Sequence, residues 1–155
     1  MRKGLITVAW RPTDQMVADR VQKYVYPGEN LYARGFAHEQ PSWGWILLIG
    51  SIATFFYKYY AIGVKETGLI LTELSPWGYG EKKVVIIPWN SIFNVTYNPG
   101  MLQDILGFQT ADGRQWNLRC QKVWGLTDNR EAGKTLAQYI YNWSQAVQQQ
   151  PGANI

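Results

Sequence analysis

Trp43–Tyr60 reads WGWILLIGSIATFFYKYY, and the fold of the chain turns on the environment assigned to this stretch. As two strands it belongs to a β-core; as a helix it faces a membrane or a partner; as a membrane span it removes the middle of the chain from any domain. Its uninterrupted apolar part, Ile46–Tyr57, extends only about 18 Å as a helix, against a hydrocarbon core of about 30 Å. Extension to Val64 gives enough length but places Lys58 inside and consumes the strand-like Tyr59–Val64. Wound as a helix, the stretch aligns Gly50, Thr54 and Lys58 with Ser51 beside them, and Leu48, Ile49, Ile52, Phe55 and Phe56 cover most of the remaining circumference. Trp43 and Trp45 at one end, and Tyr57, Lys58, Tyr59 and Tyr60 at the other, set amphipathic groups where a headgroup layer meets an apolar interior. Core strands, an interfacial or re-entrant membrane element and a protein-covered surface all stay open, with a single membrane span the least favoured.

Downstream, Ala61–Leu74 (AIGVKETGLILTEL) predicts two strands around a turn at Lys65-Glu66-Thr67-Gly68. Ser75–Lys83 (SPWGYGEKK) reads as a loop in which Trp77 and Tyr79 accompany Lys82 and Lys83. Aromatic and basic side chains together can meet a headgroup layer or stacked bases, although solvated loops gather the same residues. Val84–Ile87 and Ser91–Tyr97 are β-prone segments separated by Pro88, which suits an edge or a bulge. Asn98-Pro99-Gly100 marks a turn. The clearest hairpin joins Leu106–Thr110 to Gln115–Cys120 through Ala111-Asp112-Gly113-Arg114. Alternation along Trp116, Leu118 and Cys120 predicts one buried face. Asp128 and Glu131 have capping-box spacing, and Ala132, Leu136, Ile140, Trp143 and Val147 form the apolar stripe of a closing helix that ends near Gln148.

Upstream, Asn30–Ala37 partly alternates like a strand, and His38-Glu39-Gln40-Pro41-Ser42 reads as a polar break. Thr13 is placed to cap a helix whose apolar face is Met16, Val17, Val21, Tyr24 and Val25, ended by Pro27-Gly28. Leu5–Trp10 is a short β-prone run. The opening MRKGLITVAW has two basic residues, but its apolar run stops at Arg11-Pro12 without a small-residue cleavage pattern, so the chain is expected to be unsecreted.

Composition narrows the chemistry. The chain has the length of one domain, with 17% charged and 15% aromatic residues, including 8 Trp and 10 Tyr; this excludes global disorder and favours an aromatic-rich surface. The net charge of +4 is spread over single or paired basic residues, with no stripe that would track phosphates. Cys120 is the sole cysteine and His38 the sole histidine, so an internal disulfide, a thiolate metal site and paired-His metal sites are excluded. His38 reads as a solvated loop histidine, Cys120 as a small core residue, and Asp112 and Glu81 as turn residues. Arg114 and Arg119 flank the Asp-Gly hairpin. No motif places a nucleophile, and the reading is non-enzymatic, with no cofactor, metal or small-molecule substrate.

The phrases GENLYARG (Gly28–Gly35), YYAIGVKETGLIL (Tyr59–Leu71), IPWNSIFNV (Ile87–Val95) and the Asp112–Arg114 turn followed by WNLR, in that order, resemble the bacterial pleckstrin-homology-like (PH-like) domain family over about Pro27–Gln145. The resemblance implies an α+β fold: a bent antiparallel β-barrel of about seven strands with a C-terminal capping helix. To this the chain adds an N-terminal strand and helix at 1–26, leaving 27–148 as the domain, with an apolar insertion at about 43–58, and 149–155 as a tail. At the middle hairpin the family commonly has Thr followed by Arg, where this chain has Lys65-Glu66-Thr67-Gly68. The phosphoinositide-type basic cluster between the first strands is also missing. The resemblance implies a binding or scaffolding module, here docking at a cytoplasmic membrane face or on a membrane-associated assembly. The expected contact residues are Trp43, Trp45, Leu48, Ile49, Ile52, Phe55, Phe56 and Lys58, with Trp77, Tyr79, Lys82 and Lys83 as a secondary loop contact. The alternatives are a structural subunit of a soluble complex and, less favoured, a small nucleic-acid-binding barrel.

Overall fold

Apolar residues on both faces of Ala61–Leu74 dictate the architecture, because a strand buried on both sides needs a layer above and below it. The computed structural model describes residues 14–39, 43–50, 52, 57–75, 80–101, 103–121, 123–124, 127–128 and 130–149. A helix, α1 (Asp14–Gln22), precedes β1 (Leu31–Glu39), a short helix α2 (Trp43–Ile49), β2 (Lys58–Lys65), β3 (Gly68–Leu74) and β4 (Glu81–Pro88). A 3-10 turn at Trp89–Ser91 leads into β5 (Ile92–Asn98), β6 (Gln103–Thr110) and β7 (Gln115–Gln121). The two-residue strands β8 (Val123–Trp124) and β9 (Thr127–Asp128) come before the closing helix α3 (Arg130–Gln148).

The seven long strands form one antiparallel sheet in the order β4-β3-β2-β1-β7-β6-β5. Its two halves are joined through β1 and β7, whose paired residues are His38 and Arg119. Both halves face a single core, so the sheet is barrel-like: Ile62 and Val64 from β2 and Leu69 and Leu71 from β3 meet Leu106, Phe108, Trp116 and Leu118 from β6 and β7. Helix α3 closes this core with Leu136, Ala137 and Ile140, while Trp143 stacks on Trp89 at 5.9 Å between ring centroids. Of the stripe expected for the closing helix, Leu136 and Ile140 are buried and Trp143 and Val147 pack partly buried against the core, while the side chain of Ala132 lies outside the described residues. The start of the helix is shifted: Asp128 pairs with Val123 in β9, and the helix opens at Arg130.

On the outer face, Val17 and Val21 of α1 cover Ala61, Ile70 and Leu74. Gly63 is what allows the helix this close, since a Cβ there would collide with Cγ1 of Val21. This second layer accounts for the unbroken burial of β2 from Tyr60 to Lys65 and of β3 from Gly68 to Thr72. Helix α1 is shorter than its apolar pattern suggested: Tyr24 and Val25 lie beyond its end in a turn closed by Tyr24 N–H to Val21 O at 3.0 Å.

The hairpin readings hold, with β2–β3 turning at Glu66-Thr67 and β6–β7 at Ala111–Gly113, where Gly113 takes φ 84°. Pro88 ends β4, an edge strand where a missing N–H costs no internal ladder bond. Two expectations are corrected. His38 is no loop residue but a 4% exposed member of β1, because pairing with Tyr59 and Lys58 carries the strand through Glu39. Lys82 and Lys83 belong to β4 and not to the loop before it, and Glu81 opens that strand opposite Leu74. Trp43–Ile49, for which a core strand is one of the readings the sequence leaves open, is helical, and among the described residues the sheet resumes at Lys58. The expected strand at Leu5–Trp10 and the 150–155 part of the tail lie outside the described residues.

Candidate functional site

β1 and β2 pair up to Glu39 opposite Lys58. The connection between them, of which residues 43–50, 52 and 57 are described, is thus an excursion in the place of a tight hairpin. Helix α2 occupies its first part, and Gly50, at φ 57°, turns the chain directly after it; that left-handed conformation suits a residue without Cβ. Leu47 and Leu48 are each 82% exposed and Ile52 is 58% exposed. These are large apolar side chains left facing water by an element that adds nothing to the sheet ladder. Leu47, outside the expected contact set, is as open as Leu48; the helical projection had favoured its neighbours. Ile49 is half-buried and Lys58 exposed. Phe55 and Phe56 fall outside the described residues, as do the side chains of Trp43 and Trp45.

The root of the excursion is an aromatic cluster on the outer face of β1 and β2. Phe36 stacks on Tyr59 at 5.7 Å, and the His38 ring lies 5.8 Å from Tyr57 and 6.2 Å from Tyr59. Burial here, with a smaller contribution from the Arg119 charge, pulls the His38 imidazole down to about 4, so it is neutral near pH 7. Register places a second connection nearby, since Tyr59 pairs with Leu74 and Leu74 with Glu81. The β3–β4 connection therefore emerges at the same end of these strands as the excursion. Trp77 and Tyr79, the expected aromatic contacts of that connection, lie outside the described residues.

Three carboxylates, Glu29, Glu39 and Glu81, brace this framework. Glu29 accepts hydrogen bonds from Thr67 N–H at 3.0 Å and from the Thr67 hydroxyl, and it pairs at 3.2 Å with Lys65 Nζ. Lys65 is wholly buried and also donates to Tyr24 O at 3.4 Å, with Nζ 4.1 Å from the centre of the Tyr26 ring. Burial pushes the Glu29 carboxyl up, but the bonds from Thr67, Tyr26 N–H and Lys65 prevail and hold it at about 2. Glu39 accepts from Tyr60 Oη at 3.0 Å and pairs with Arg114 at 3.3 Å; the Arg114 guanidinium lies 3.5 Å over the Trp116 ring. Glu81 gathers Arg20, Lys23 and Tyr24, tying α1 to β4. The signal for Glu29 was present as the Gly-Glu that precedes β1, but its partner lies 36 residues away.

Chemically, these clusters are closed: each carboxylate is engaged by donors from its own fold. Cys120 is buried as expected, and burial together with the nearby Asp104 charge pushes its thiol up to about 12, which leaves no nucleophilic thiolate near neutrality. Among the described residues no group of three or more His, Cys, Asp or Glu could hold a metal ion, and no helix is long and apolar enough to cross a membrane. Comparison of the chain with models of protein families and with curated proteins finds no match.

Proposed function

We propose that the chain is a non-enzymatic docking module with a PH-like barrel, seated on the cytoplasmic face of a membrane by the apolar excursion between β1 and β2. The observation that carries this reading is the exposure of Leu47, Leu48 and Ile52 on a segment that the sheet does not need. Taking three such side chains out of water contributes about 1.5–3 kcal/mol each. That total suits reversible, peripheral attachment and not permanent anchoring. Lys58 at the return of the excursion adds about 1 kcal/mol toward an anionic surface, so apolar contact dominates and salt weakens the attachment only slightly. Trp43 and Trp45, within the excursion in sequence, are of the residue type that favours the headgroup level.

Flotation of the purified chain with phosphatidylcholine vesicles containing a minority of phosphatidylserine tests the reading. The chain is expected to rise with the lipid at low and at high salt, and Leu47→Asp with Leu48→Asp to remain at the bottom of the gradient while still folded. An unmodified chain that stays at the bottom overturns membrane docking and leaves the excursion to a protein neighbour, as in a soluble complex.

A further inference from the structure

Among the described residues, β4 is hydrogen-bonded to a neighbouring strand on one side only, as is β5 at the other end of the sheet. The two edges are not equivalent. β5 is interrupted by a register shift between Phe93 and Thr96, with Asn94 at φ 51°, the kind of bulge that turns an edge away from further pairing. β4 has its own register shift, but only at its start, where Lys82 is the extra residue between Glu81 and Lys83. From Lys83 to Pro88 its pairing with β3 is unbroken, so over that stretch its outward C=O groups, and its outward N–H groups short of Pro88, form a regular row. Alongside runs a groove of about 260 Å³ between Val85–Pro88 and the β6–β7 turn, with Trp116 among its lining residues. That volume lies below the roughly 300–1,000 Å³ of small-molecule sites and matches a side chain or two.

We propose that the β4 edge accepts an extended acidic peptide segment of a partner protein as an added antiparallel strand. The backbone row supplies the hydrogen bonds, and the groove takes one apolar side chain of the incoming strand. Charge sets the composition and direction of that strand. Lys82 and Lys83 are exposed at the start of β4, whereas Asp112 lines the groove together with Pro88 at its far end. Thr110 Oγ1 and Arg114 N–H hydrogen-bond the Asp112 carboxyl and, more than any other influence, keep it ionised. Lysines on an edge blunt indiscriminate strand pairing and admit a strand that places carboxylates opposite them. In the antiparallel sense those carboxylates come at the C-terminal end of the peptide, with β-branched residues before them. This surface is separate from the excursion and does not depend on membrane docking.

Selection of a displayed random heptapeptide library on the full chain tests the proposal. Enrichment of sequences ending in Asp or Glu after Val, Ile or Thr is expected. A synthetic peptide of the enriched sequence should bind the surface variant Lys82→Glu with Lys83→Glu about tenfold more weakly. Binding should slow hydrogen exchange at β4 amides, and methylation of alternate peptide nitrogens should abolish it. The Leu47→Asp with Leu48→Asp variant should bind the peptide normally. Failure of any sequence to enrich, equal binding to the charge-reversed variant, or binding that survives the methylation overturns the proposal.

Discussion

His38 and Glu29 both titrate below their ordinary values, and the direction of each shift fixes how the fold responds to acid. His38 is held at about 4 against 6.5, so between these values the unfolded chain binds a proton that the folded chain refuses. Stability therefore falls as pH drops through this window, by up to about 1.4 kcal/mol per pH unit from this group. His38→Phe keeps a ring against Tyr57 and Tyr59 without titrating, and should flatten the pH dependence of urea unfolding between pH 6.5 and 4. Glu29, at about 2 against 4.5, contributes stability that is present above 4.5 and lost as pH falls toward 2. Glu29→Gln leaves Lys65 buried without its counter-charge and should cost about 3 kcal/mol at neutral pH, measured by denaturant unfolding. An equal loss in Glu29→Gln and in a Lys65→Met, Glu29→Gln pair would show that the buried charge is not the cause.

At the scale of elements, α1 is a separate layer whose attachment depends on shape. Val21 fits over Gly63, and a methyl group there has no space. Gly63→Ala should destabilise by about 1–3 kcal/mol through overpacking. Adding Val21→Ala should recover part of that loss in a double-mutant cycle, because the two side chains compete for one volume. Additive losses would place the clash elsewhere. The acidic residues work at this scale too: Glu81 holds the end of α1 to β4, and Glu29 holds the chain before β1 to the β2–β3 turn. Loss of α1 would expose Ala61, Ile70 and Leu74 on the outer face, so the N-terminal helix is integral to the fold and not an appendage.

At the scale of the whole molecule, the excursion and the sheet are separable because Glu39 and Lys58 are already paired. Replacing residues 42–55 with Gly-Ser-Gly-Ser retains Tyr57 over His38 and shortens the connection, a change whose closure entropy is small. The product is expected to unfold cooperatively near the unmodified midpoint, to keep the slow-exchanging amides of β2, β3, β6 and β7, and to lose vesicle flotation. Loss of the folded state would assign the excursion to the core.

Short-range signals sufficed for a large part of this molecule. The Asp112-Gly113 turn, the Pro88 edge, the alternation of Trp116, Leu118 and Cys120, and the α3 stripe each depend on residues a few positions apart, so the chain carries them locally. What sequence left open rests on contacts between distant segments. Nothing near Ala61 or Ile70 tells that α1 covers them, nothing near Lys65 names Glu29 as its partner, and nothing near His38 says that Tyr57 and Tyr59 will close over it. An apolar run such as Ile46–Tyr57 has the same hydropathy in a core as on a surface. Only the ladder, by closing at Glu39 and Lys58 without it, set Leu47 and Leu48 out in solvent.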